Sequence, residues 1–197
     1  MIPICEKDYE YLLKLAKVSI EHGFKHGTPI VLNAEDVPPQ FHQTSEMAVS
    51  IKSGNKNLGC ISNAYRPMAI YEAVINNAFD AAFNDNMFKP VKRNALTKAT
   101  IIVSRLLQKR RYVKITSFDS FCSTIKTNES VVLHLDTSSE LMLSFMHKYY
   151  ADPQKFMNAL REKSEMHKKM PWDQLTATVI ETVLSREVPY NEIPWLA

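Results

Sequence analysis

Between Asp8 and Gly23 the apolar residues Tyr9, Leu12, Leu13, Ala16 and Ile20 recur at the spacing of one helix face. That spacing predicts an amphipathic helix stopped by Gly23 and Gly27. Pro29, Pro38 and Pro39 then mark residues 28–44 as an extended crossing loop. From Met47 the period shortens. Met47, Val49 and Ile51 alternate with polar residues, Ser53-Gly54-Asn55 supplies a turn, and residues 57–62 resume as a strand, so a β-hairpin is predicted. Pro67 suits a helix start, where a missing N–H costs nothing. Met68 to Phe83 then return to the helical period, with apolar residues on more than one stripe, which predicts a largely buried helix.

Asn84-Asp85-Asn86 breaks that helix and a loop follows to Ala95. Residues 99–106 and 112–116 are rich in β-formers, and Ile101-Ile102-Val103 predicts a strand covered on both faces. A short helix is expected over 118–125. Residues 131–135 and 141–145 flank Asp136-Thr137-Ser138-Ser139 as a second hairpin. Asp152-Pro153 is an N-cap followed by proline at the first helical position, opening a helix to about Ser164. Trp172 begins a turn, and Thr176 to Leu184 reads as a final strand. Helices interspersed with hairpins predict the α+β class: a mostly antiparallel sheet flanked by helices.

Composition narrows the setting. The 197 residues suit a single domain, and 45% hydrophobic with 23% charged residues argue against disorder. Cys5, Cys60 and Cys122 are odd in number and far apart, and the first ten residues show no leader pattern. Thiols rather than disulfides, in the cytoplasm, are expected. No apolar run approaches the roughly 20 residues of a membrane span, so no membrane partner is expected. The phosphate-loop, dinucleotide, zinc-protease and serine-hydrolase motifs are absent, and the four glycines leave little for a phosphate cradle. The sequence names no cofactor and no metal.

The net charge is +3 and unevenly placed: nine basic residues and no acidic one lie between Lys89 and Lys114. Arg105, Lys109, Arg110, Arg111 and Lys114, with Tyr112 and Phe118 near them for stacking, form a candidate nucleic-acid surface. Strand alternation would divide such a run between two faces, and a solvated basic edge is the other reading.

The segment Leu58-Gly59-Cys60-Ile61 is the foremost candidate for chemistry. A glycine lets backbone or ligand approach closely, and a thiol becomes nucleophilic when a cation, helix terminus or metal lowers its pKa. Arg66 and His134 are the distant groups that would serve, and a structural cysteine on a buried strand is the alternative. His22 and His26 stand four apart beside a helix end; a metal would also need a third ligand such as His42 or Asp36, and a histidine pair favoured by the helix C-terminal dipole is the other reading. Asp85 either orients a ligand near Cys60 or turns the chain.

The string Asn57-Leu58-Gly59-Cys60-Ile61-Ser62 resembles the signature of the AMMECR-one domain family, Leu-Arg-Gly-Cys-Ile-Gly. Asn77-Ala78 and Ala81-Ala82-Phe83 resemble its Asn-Ala…Ala-Ala-Phe helix, and residues 85–91 resemble its Asp-Pro-Arg-Phe-Pro-Pro. Residues 99–106, and 152–163 with Trp172, also match in order. Leu58, Ser62 and Met87 stand where the pattern has arginine, glycine and arginine. The resemblance implies one domain of larger and smaller α+β subdomains. It also implies a pathway shared with Memo-type and radical-SAM proteins. On this reading the chain binds a small ligand or protein partner in a cleft of Gly59, Cys60, Asn63, Asn77 and Asp85. The alternatives are an enzyme with Cys60 as nucleophile and a nucleic-acid-binding module.

Overall fold

Helix formation in the first segment outruns its glycine. In the computed structural model, which describes residues 3–63, 66, 68–86, 88–135, 138–150, 152–162 and 165–196, the first helix continues through Gly23 to His26. The elements run α1 (Asp8–His26), β1 (Thr44–Ser53), β2 (Lys56–Ser62), β3 (Met68–Ala69), α2 (Ile70–Phe83), α3 (Arg93–Leu96) and β4 (Thr100–Lys114). There follow α4 (Phe118–Cys122), β5 (Glu129–Leu135), β6 (Ser138–Met142), α5 (Pro153–Arg161), α6 (Glu165–Lys169) and β7 (Thr176–Pro189). The side chains of Leu107, Gln108, Lys109, Ser138, Phe145, Tyr149, Glu165, Met166 and Val183 also lie outside the description.

β1 pairs antiparallel with β2, β3 and β4, and β5 pairs antiparallel with β6 and β7. The architecture is therefore α+β, built on an antiparallel sheet. The chain divides into two compact units, Met1–Leu106 with Leu184–Ala197, and Leu107–Val183.

In the first unit the strand order is β2-β1-β4-β7. The alternating residues Met47, Val49, Ile51, Ile101 and Val103 form one buried face with Leu12, Ile20, Val74 and Ala78 of α1 and α2. Gly23 belongs to this packing. A Cβ there would run into the Phe83 and Phe79 rings, so the glycine marks a close helix crossing, and the stop signal is Gly27 at φ 72°. Helix α2 begins two residues later than its period suggests, because Met68 and Ala69 pair with Ser45 and Thr44 as a short strand. Pro67 lies outside the described residues.

In the second unit the order is β4-β7-β5-β6. Val131, Leu133, Phe156, Leu160, Val179 and Phe121 form its core. β4 is continuous from Thr100 to Lys114, where the polar residues 108–111 suggested a break between two strands. Asp152 caps α5 by accepting from the Lys155 N–H at 2.8 Å, as its place before Pro153 predicts. That helix ends at Arg161, and Ser164 lies outside the described residues. The Arg161 guanidinium then donates to the carbonyls of His167 at 2.9 Å and Lys168 at 2.8 Å, and to that of Met170. It also lies 5.0 Å from the Trp172 ring centroid. One side chain thus satisfies the C-terminal carbonyls of α6, which is too short to hold itself.

Candidate functional site

Cys60 sits on the outermost strand of the first unit. Ser50 pairs with Cys60 and Ile51 with Gly59, after which the register shifts so that Lys52 faces Asn57. Leu58 is therefore the extra residue of a β-bulge, and its side chain packs against the apolar core. At the next position a Cβ on Gly59 would overlap the Ala81 carbonyl oxygen of α2. The glycine is required because helix and strand meet backbone to backbone there.

Alternation sends Cys60 to the opposite face. Its thiol is half-buried and Sγ accepts a hydrogen bond from the Ser50 hydroxyl at 3.1 Å. Its backbone N–H, on the outer side of β2, donates to Asp85 Oδ2 at 2.7 Å. The structure thus brings Cys60 and Asp85 together.

Asn63 and Asn77 are joined on the helix side. Asn63 Oδ1 accepts from the Met47 N–H at 2.7 Å and from Asn77 Nδ2 at 3.3 Å. Asn63 Nδ2 donates to the Ser45 and Arg66 carbonyls, both at 3.0 Å, and Asn77 Nδ2 donates to the Met47 carbonyl at 3.0 Å. Both residues are buried, and their amides hold β1, the end of β2 and α2 to one another. Asparagine amides spent on backbone partners satisfy groups that would otherwise be costly to bury.

The face bearing Cys60 mixes polar and apolar residues and is largely buried. From the pairing, it carries Glu46, Ala48, Ser50 and Lys52 of β1, Ser62 of β2 and Ile102, Ser104 and Leu106 of β4. Glu46 is 2% exposed, Ser50 0%, Lys52 5% and Ser104 0%. Burial of such groups is tolerated when they are bonded. Here Lys52 Nζ meets Glu187 Oε2 at 3.0 Å, and the Ser104 and Ser185 hydroxyls meet at 2.8 Å. Ser50 and Lys52 alternate with Met47, Val49 and Ile51 in the sequence, but that period reads equally as a solvated face, and Ser104, Ser185 and Glu187 carry no signal of their own.

The basic run is divided. Arg105 belongs to the first unit, where its Nε donates to Ser45 Oγ at 3.1 Å. Arg110, Arg111 and Lys114 belong to the second unit, and the Lys109 side chain lies outside the description. Arg111 pairs with Glu129 at 3.2 Å. Tyr112 is exposed, whereas Phe118 stacks on Trp172 with centroids 4.5 Å apart.

The histidines have local partners. His134 lies 2.7 Å from Ser139 Oγ and 2.8 Å from Thr178 Oγ1. His22 meets the Thr28 carbonyl at 2.7 Å and its ring lies 4.4 Å from that of His26. His42 meets the Val37 carbonyl at 3.0 Å. Among the described residues, no three of His, Cys, Asp and Glu converge on one point as metal ligands, and no helix is long and apolar enough to cross a membrane.

The chain belongs to the AMMECR1 family, which it matches over residues 13–183. A protein of Methanothermobacter thermautotrophicus is 28% identical over 104 residues, which span 53% of this chain and 54% of that protein, about half its length. The crystal structure of the uncharacterised protein PH0010 from Pyrococcus horikoshii superposes with a TM-score of 0.74 at 22% identity. That match covers 94% of this chain and 93% of the other, and it supports the fold.

Proposed function

We propose that this AMMECR1-family protein binds a small polar ligand on the sheet face beside Cys60, with Cys60 as a contact. The observation that carries the reading is the row of buried polar side chains, Ser50, Lys52 and Ser104, leading to a half-buried thiol. Asp85 supports the arrangement by holding the Cys60 backbone. In this reading Gly59, Asn63 and Asn77 shape the site from behind.

Native mass spectrometry of the protein purified from its own cells tests this. A bound mass that is present in the unmodified protein and lost in Cys60→Ser and Lys52→Met supports it. Absence of any such mass, or its retention in both variants, would overturn it.

One contact favours a second reading, Cys60 as nucleophile: the Ser50 hydroxyl points its proton at Sγ, which stabilises a thiolate. Iodoacetamide decides. Labelling of Cys60 at neutral pH far faster than that of exposed Cys5, and slowed by Ser50→Ala, would establish the nucleophile. Slower labelling than Cys5 would remove it.

A further inference from the structure

In the second unit a cavity of about 330 Å³ is lined by Arg110, Arg111, Lys126, Asn128, Glu129 and Glu181, with Val179 adding an apolar patch. Its size falls within the roughly 300–1,000 Å³ of small-molecule sites. Three cations and two carboxylates face it, and both carboxylates already accept hydrogen bonds. Glu129 accepts from the Lys126 backbone N–H at 2.9 Å and from Arg111 at 3.2 Å. Glu181 accepts from Asn128 Nδ2 at 3.4 Å.

The guanidinium of Arg111 is also held in place. Arg111 Nη1 donates to Thr124 Oγ1 at 3.2 Å and Nη2 to the Thr124 carbonyl at 3.3 Å, so one side of its planar fork is fixed against the 124–129 loop. A guanidinium held in this way loses little further freedom on meeting a ligand. Among the described residues, no carboxylate pairs with the Lys126 ammonium.

We propose that this cavity binds a small oxyanion, carried as a carboxylate or as a phosphate ester, with Arg111 and Lys126 as its charged contacts. The site is separate from the face beside Cys60 and does not depend on it.

The test is titration of the ¹⁵N-labelled full chain with sodium pyrophosphate and, separately, sodium succinate, at ionic strength matched with sodium chloride. The expected result is saturable amide shifts confined to residues 110–111, 124–129 and 179–181. The stronger of the two probes identifies the source of the oxyanion. Lys126→Gln, at an exposed position, should weaken binding about tenfold, the loss of one charge-assisted hydrogen bond. Lys92→Gln, an exposed lysine of the first unit, should leave binding unchanged. Three results would each overturn the proposal: shifts that never saturate with either probe, equal binding by Lys126→Gln, or tighter binding of a ten-nucleotide thymidine strand than of both probes.

Discussion

The Asp85 carboxylate, two residues beyond the end of α2, accepts the backbone N–H of Cys60 at 2.7 Å. A side chain from the loop after a helix thereby completes the open edge of the end strand. Asp85→Ala leaves that N–H without its charged acceptor, at a cost of about 1–3 kcal/mol. Asp85→Asn keeps a carbonyl oxygen there and should cost less. Urea unfolding checks both, and hydrogen exchange at the Cys60 amide should quicken in the alanine variant. Equal stability of Asp85→Ala and the unmodified protein would remove this role.

The two buried glycines separate backbone from side-chain crowding. A Cβ at Gly59 meets the Ala81 carbonyl, which belongs to a helix and cannot move alone, whereas a Cβ at Gly23 meets the Phe83 and Phe79 rings, which can rotate. Gly23→Ala also gains about 1 kcal/mol of helix propensity. Gly59→Ala should therefore cost at least the roughly 1–3 kcal/mol typical of overpacking, and clearly more than Gly23→Ala. Thermal melts of the two variants decide the order.

Periodicity revealed much of this fold and little of what holds the site. The helix faces of α1 and α2, the 47–62 hairpin, the capped start of α5 and the α+β class follow from spacing and turn residues. Gly23 reads as a stop, because its neighbours across the crossing, Phe79 and Phe83, are known only from tertiary packing. Met68 and Ala69 have helical period, yet a ladder with Ser45 and Thr44 outweighs it. The polar residues 108–111 resemble a loop, but strand pairing carries β4 through them. In the candidate site, Cys60 stood out through its motif. Ser50, Lys52 and Glu187 did not, since polar residues at strand period look the same whether they meet water or one another. Arg161 is concealed for another reason: its acceptors are backbone carbonyls six to nine residues onward, which no side-chain pattern records.

The three cysteines should react in an order set by their surroundings. Cys5 is exposed, Cys60 half-buried and Cys122 buried. Burial, with Asp119 and Asp152 nearby, pushes the Cys122 thiol up to about 11, so almost none of it is thiolate at neutral pH. Under native conditions Cys122 should label last with iodoacetamide, and unfolding in urea should bring it level with the others. Rapid native labelling of Cys122 would contradict this packing.

The second unit should weaken in mild acid. Burial lowers the pKa of His134, with His167 adding to the effect; it also lowers that of His147, against the Glu129 carbonyl and carboxylate. His167 is 0% exposed, and burial lowers its pKa against the nearby Leu133 carbonyl. Depressed folded-state values mean that the unfolded chain, whose histidines titrate near 6.5, binds more protons. Stability is then fully present above about pH 6.5 and falls as the pH drops through the folded-state values. Urea midpoints between pH 8 and pH 5 should decline. His167→Leu should flatten the decline even if it changes the midpoint at pH 8. An unchanged slope in that variant would assign the acid sensitivity to other groups.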